Sequence, residues 1–275
     1  MIERRTVLFG MASSLLAAIP RSDPNEKKAV KMVAEAQKLA RPPISNFRVG
    51  AVALGTSGAF YPGANIEIPG NPLNQTIHAE QAAIANAYGK NERGIAAIAV
   101  NEAPCGHCRQ FLNEIENGGS IRVLIKDQPF QKLEYLLPSS FGPRDLGVRL
   151  GMFAKSPVKL RLSGTHDALV TAALDAASRA YAPYSNASSG CAIETDRRTY
   201  AGSYLENAAF NPSLSPLQSA LVNLVIAGDD FAAIRRVVLV EVKGAAISQR
   251  ASTEAVLAAI APHARFERFE SLRLP

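Results

Sequence analysis

From Pro24 onward the hydrophobic and polar positions follow two rhythms, one of helical period and one of strand length. Val30, Val33, Ala34 and Ala40 give the first stretch an apolar face; Asp23 is placed to cap it, Pro24 suits its first position, and Glu26 stands three residues after the cap. Pro42-Pro43 end that helix, because a proline lacks the amide donor and bars helical geometry in the residue before it. Arg48 to Leu54 is then an apolar run of strand length. The turn at Gly55-Thr56-Ser57-Gly58 reverses the chain, and a second strand is expected over Ala59 to Ile66.

The same order recurs about 140 residues later. Ala40-Arg-Pro-Pro-Ile-Ser-Asn-Phe-Arg-Val-Gly50 aligns with Ala180-Tyr-Ala-Pro-Tyr-Ser-Asn-Ala-Ser-Ser-Gly190, keeping the second proline, the Ser-Asn pair and the glycine. Both copies reach a Gly-x-x-x-Glu, at Gly63 to Glu67 and Gly202 to Glu206. Each then continues into a helical stretch (Ala79 to Tyr88; Gln218 to Ala227) and a buried strand (Ile95 to Val100; Val237 to Val242). A long unit occurring twice predicts duplicated α/β domains rather than a solenoid of short repeats. Lys126 to Gly164, with four prolines, reads as the connector, and the chain divides into residues 1–22, 23–150 and 151–275.

Composition narrows the class. With 275 residues, 47% of them apolar and 20% charged, the chain carries enough apolar material for real cores and does not have the composition of a disordered one. The net charge of +6 is small and its cations are scattered, whereas a nucleic-acid footprint is a block or stripe. No apolar run reaches the roughly 20 residues of a membrane span. Residues 1–20 stand apart: Arg4-Arg5-Thr6 precedes an uncharged, mostly apolar stretch from Val7 to Pro20. This resembles a twin-arginine export signal, which would make the protein periplasmic; the other reading is an extension on a cytoplasmic protein.

Three cysteines do not describe a disulfide framework. Cys191, alone in an expected strand, reads as a buried thiol. Cys105 and Cys108, spaced i, i+3 in Pro104-Cys105-Gly106-His107-Cys108, can point two thiolates at one ion from a turn entering a helix. His78-Ala79-Glu80 precedes them and supplies a third donor. A Cys2His set leaves the fourth tetrahedral position open, which distinguishes a catalytic zinc from a closed structural one. Glu80 is placed to carry a proton beside it. A lone CxxC is also compatible with a redox pair or a structural half-site, and a lone His-x-Glu with a surface helix; their joint occurrence, flanked by strands, favours the catalytic metal. His107, between the cysteines, reads as a turn residue. By the repeat alignment the second copy sets Pro216 opposite His78, Gln218 opposite Glu80, Ala245 opposite Cys105 and Ser248 opposite Cys108, so it carries no metal set.

These motifs resemble those of the zinc-dependent nucleoside and nucleobase deaminases, in which His-x-Glu is followed by Pro-Cys-x-x-Cys. The longer matches, Ser45 to Ala51, Gly63 to Glu67, Thr76 to Gln81 and Ala103 to Phe111, are similar to cytidine deaminases of the two-domain, homodimeric branch. The resemblance covers roughly residues 25 to 275. It implies three-layer α/β/α cytidine-deaminase-like domains, the second catalytically degenerate, and one Zn2+ per chain held by His78, Cys105 and Cys108. It further implies Glu80 as proton carrier, Asn65 and Glu67 on the ribose, and Phe47 stacked on the pyrimidine with Ala79 beside the substrate. Phe141 would close the pocket and Phe210 would reach it from the partner subunit. Plain core packing is the competing account of Phe47 and Phe141. The implied substrate is cytidine or 2'-deoxycytidine, with no nucleic acid and no membrane as partner, in pyrimidine salvage and by family default in the cytoplasm. Two rivals remain at this stage: a deaminase acting on a modified nucleoside or on cytosine in nucleic acid, and a non-catalytic zinc-binding scaffold.

Overall fold

The computed structural model describes residues 23–154 and 156–274, so the leader-like segment lies outside the described residues. The first helix, α1 (Pro24–Lys38), begins where its cap predicts, with the Asp23 carboxylate accepting from the Asn25 amide at 2.8 Å. Its buried face differs from expectation. Ala34 is exposed, and the face runs Glu26, Ala29, Val33, Ala36. Glu26 turns inward to an ion pair with Arg122 rather than serving the cap.

The first sheet has the order β2-β1-β3-β4-β5, from β1 (Gly50–Gly55), β2 (Phe60–Ala64), β3 (Ile95–Val100), β4 (Arg122–Ile125) and the short β5 (Gln131–Lys132). Only β3 and β4 run parallel. Strand alternation divides its two faces. Val52, Leu54, Ala97 and Ala99 pack under α1, while Ala51, Ala53, Ile98 and Val100 face α2 (Ala79–Gly89) and α3 (Gly106–Leu112).

The second sheet repeats this with the order β6-β10-β9-β7-β8. Its strands are β6 (Leu160–Arg161), β7 (Ser189–Thr195), β8 (Thr199–Ser203), β9 (Ile234–Val242) and β10 (Arg265–Arg273), with β9 and β10 parallel. Helix α5 (Ala168–Ser178) covers its outer face; α6 (Pro216–Ile226) and α7 (Arg250–Ile260) cover the inner one. The connector is structured: besides β5 and β6 it forms the single turn α4 (Leu133–Leu136), and Met152 is fully buried. Helix α7 and strand β10 carry no expectation from sequence. The two inner layers share one continuous core, in which Ile84 of α2, Phe111 of α3, Leu221 of α6 and Val256 of α7 belong to a single cluster. Among the described residues no helix is long and apolar enough to cross a membrane.

Candidate metal centre and active site

Two helix starts are brought together by the first sheet. His78 caps α2, its amide donating to the Gln81 side chain at 3.2 Å, and Cys105 caps α3. Gly63 of β2 allows the close approach that fixes α2: a Cβ there would stand 2.2 Å from the Ala83 nitrogen and 2.4 Å from the Ala79 carbonyl oxygen. The three donors then converge. His78 Nδ1 lies 3.5 Å from Cys105 Sγ and 3.4 Å from Cys108 Sγ, and the two sulfurs are 3.7 Å apart. Tetrahedral zinc with bonds of about 2.3 Å to sulfur and 2.0–2.1 Å to nitrogen requires edges of about 3.8 Å (S to S) and about 3.5 Å (S to N). The triangle fits zinc closely. It is also the one His, Cys, Asp and Glu group of metal-binding geometry among the described residues.

The electrostatics suit a cation site. Hydrogen bonding with Cys108 and His78 lowers the Cys105 thiol to about 3, while the Cys105 contact and burial push Cys108 up and the Cys105 contact raises His78. A lowered thiol beside a raised thiol and a raised imidazole is a donor set whose protons a metal ion would displace. Cys108 is buried and Cys105 exposed, so the open side lies toward Cys105. Glu80 is 4% exposed, and burial raises its carboxyl above the ordinary range, as suits a group that takes up and returns a proton. His107 stacks on His78 with ring centroids 5.0 Å apart, which braces the ligand as well as the turn.

The remaining expected residues are placed unevenly. Ile66 pairs with Ile77, which sets Asn65 and Glu67 beside the start of α2. Both side chains already fasten residues 44–49. Asn65 accepts from the Val49 amide at 2.9 Å and donates to the Phe47 carbonyl at 2.8 Å. Glu67 accepts from the Ile44 and Ser45 amides and the Ser45 hydroxyl, leaving about one of a carboxylate's four acceptor positions for a ligand. Burial works to raise the Glu67 carboxyl, but these three donors lower it overall. The loop they hold presents the Phe47 ring at the surface, so core packing is not its role. Ala79 is buried beneath Gly63. The Phe141 carbonyl accepts from Gln110 and Asn113 of the α3 region, and its ring is half exposed.

Phe210 is 65% exposed, at a left-handed φ of 62°. Its neighbours in the loop, however, engage their own chain. Asn207 exchanges hydrogen bonds with Gln110, and Pro212 accepts from Gln81 at 2.9 Å. Gln81 and Gln110, together with Glu114, which accepts from the Tyr181 hydroxyl and the Ala208 amide, bind the second copy to these two helices. Sequence reading missed them because their partners lie far along the chain.

The structure also corrects the pairing of the copies. Ile66 pairs with Ile77 as Leu205 pairs with Leu214, and Gly202 approaches Ala220 and Pro216 as Gly63 approaches Ala83 and Ala79. His78 therefore faces Ser215, not Pro216; Glu80 faces Leu217, not Gln218, which instead matches Gln81. By helix caps, Cys105 faces Gln249 and Cys108 faces Ser252, rather than Ala245 and Ser248. The intervening loops differ in length between copies, so an alignment read from the sequence slips there.

A duplicated α/β fold with an open Cys2His centre and a buried carboxylate beside it defines a zinc hydrolase. Two family models, each described as the cytidine and deoxycytidylate deaminase zinc-binding region, match residues 23–122 and 133–254. A cytidine deaminase of Photorhabdus laumondii is 48% identical over 233 residues, 84% of this chain and 79% of that protein. One of Yersinia pestis is 49% identical over 219 residues, 79% and 74% of the respective chains. A crystal structure of cytidine deaminase from Mycobacterium tuberculosis, 30% identical, covers 44% of this chain and 99% of its own, with a TM-score of 0.40. The chain belongs to the cytidine and deoxycytidylate deaminase family and is an enzyme of that family with zinc as its cofactor.

Proposed function

We propose that this protein converts free cytidine, and 2'-deoxycytidine, with water into uridine or 2'-deoxyuridine and ammonia, in pyrimidine salvage. The observation that carries this reading is the donor triangle of His78, Cys105 and Cys108 with the Glu80 carboxylate buried against it. Bound zinc supplies Lewis acidity that makes water nucleophilic near neutral pH, chemistry general to the zinc deaminases. Glu80 takes the proton that water loses and delivers it to ring N3 as C4 is attacked; it then takes the proton of the new C4 hydroxyl and passes it to the amino group, which leaves as ammonia while C4 becomes a carbonyl. Burial works against its charged form, which favours each uptake of a proton. Phe47, held out by the Asn65 and Glu67 bonds to its loop, offers a face to the pyrimidine. The last acceptor position of Glu67 suits a sugar hydroxyl and repels a phosphate.

In this reading the second domain is non-catalytic, since Ser215, Leu217, Gln249 and Ser252 replace the donors and the proton carrier. A two-fold homodimer, with Phe210 completing the partner's pocket, accounts for an aromatic ring left exposed on a well-tied loop. The test is an ultraviolet assay of cytidine, deoxycytidine, cytidine 5'-phosphate and a cytosine oligonucleotide in parallel, with light scattering on the same sample. Free nucleosides are expected to lead by at least about tenfold, the effect of a misplaced buried charge. Equal kcat/KM for the oligonucleotide would move the substrate to nucleic acid, and an active monomer would end the shared pocket.

A further inference from the structure

Glu114, two residues past α3, is fully buried, yet sequence gives it no chemistry. Its carboxylate accepts from the Tyr181 hydroxyl at 2.8 Å, from the Tyr184 hydroxyl, and from the Ala208 amide at 2.8 Å. All three donors belong to the second domain. Burial pushes the carboxyl up, and these donors work against that shift. Asn207, adjacent to Ala208, adds its exchange with Gln110 one turn earlier. The helix that carries Cys108 is therefore gripped at its far end by two loops of the other domain.

The pseudo-symmetric position shows that this grip is not a by-product of duplication. Tyr181 pairs with Leu205 as Arg41 pairs with Ile66, so residues 181–186 correspond to 41–46, and Asn46 and Asn186 share the left-handed conformation at 56° and 55°. Tyr184 thus corresponds to Ile44, an exposed aliphatic. Residues 41–46 are held by Glu67 of their own domain, and Arg41 reaches Asp230 and the Asp229 carbonyl; where they meet the end of α7, that helix offers no counterpart of Glu114, and a groove of about 720 Å³ opens there, lined among others by Arg41, Pro43, Ala259 and Ile260. A carboxylate clamp at the helix end thus exists beside α3, which holds the metal donors, and has no counterpart at the end of α7, where the matching loop reaches the other domain through Arg41 instead.

We propose that Glu114 is a positioning residue for the metal centre: through Tyr181, Tyr184 and the Ala208 amide it lets the second domain hold α3, and with it Cys108, in register with His78 within a single chain. The second domain then acts on the site of its own chain, whatever it does for a partner. The test is the rate at which zinc-loaded protein gives up its metal to a colorimetric chelator, measured with the melting temperature. Glu114→Gln, which keeps the volume but can no longer accept on both arms, should speed zinc loss by at least about fivefold, and Tyr184→Phe by a smaller factor. The double variant should be no faster than Glu114→Gln alone, because both changes break one cluster. Leu169→Ala on α5, buried in the outer core far from these loops, is the stability control. It should lower the melting temperature while leaving zinc loss at the wild-type rate. If Glu114→Gln and Tyr184→Phe release zinc no faster than Leu169→Ala, or if their effects simply multiply, Glu114 only supports the fold. Tyr184→Phe keeps the question answerable should Glu114→Gln fail to fold.

Discussion

Gly63→Ala places one methyl group between β2 and α2, and its effect can be worked from contacts. The new Cβ would lie 2.2 Å from the Ala83 nitrogen and 2.4 Å from the Ala79 carbonyl oxygen, both backbone atoms that cannot rotate away. Ordinary contact begins about 1 Å further out, so α2 must retreat by about that distance, taking His78 and Glu80 with it. Overpacking of this kind costs about 1–3 kcal/mol of stability. A misplacement of about 1 Å at a reacting group costs about 10²-fold in rate, or about 2.7 kcal/mol of transition-state stabilisation. The control is built into the fold. Gly202→Ala makes the same clash, with its Cβ 2.2 Å from the Ala220 nitrogen, but moves a helix whose start carries Ser215 and Leu217. Urea unfolding should show similar losses for both variants, whereas cytidine turnover per bound zinc should fall only in Gly63→Ala. Wild-type turnover and stability in Gly63→Ala would refute the argument, and an equal turnover loss in Gly202→Ala would show that the effect is global.

Glu80→Gln removes the proton carrier and no ligand; zinc content should stay near one per chain while kcat falls about 10²- to 10⁴-fold, and near-normal kcat would be fatal to the mechanism. Dialysis against a strong chelator should remove one zinc per chain and all activity, with zinc restoring both; two zincs per chain by elemental analysis would contradict the replaced donors of the second copy. Glu92 accepts from Thr56, Ser57, Tyr61 and the Arg93 amide; burial opposes its charge, but these donors win and its carboxyl sits below the ordinary range. The stability it contributes is present above the unfolded-state pKa of about 4.3 and is lost as pH falls through the lower folded value. Glu92→Gln should therefore cost about 1–3 kcal/mol at pH 7, with the gap to wild type closing in acid; a pH-independent gap in urea unfolding would refute this.

Much of the fold could be read from local chemistry. Asp23 caps α1 as its side chain dictates, and the apolar run Ile95 to Val100 is β3 from end to end. The metal donors were legible because zinc demands particular atoms at short range, and i, i+3 cysteines entering a helix satisfy that demand wherever the chain goes. What failed was whatever depended on distance along the chain. The second copy was misaligned because Ile66 reaches its partner in eleven steps while Leu205 reaches its own in nine. Glu114 gave no signal, since its partners lie 67 to 94 residues away. Glu26 read as a cap residue because its neighbours suggested one, whereas its true partner, Arg122, arrives from a strand in the middle of the chain.

The continuous core beneath the two sheets has an evolutionary consequence. Because α2, α3, α6 and α7 bury their faces against one another, neither half can melt alone without exposing the other's interior. A substitution in the half that lacks the His78, Cys105 and Cys108 donor set is therefore felt as fewer working enzyme molecules. Natural selection on the deaminase thus reaches every buried position of the domain without that donor set. Neither half is free to drift alone, because each is kept in service by the neighbour that leans on it.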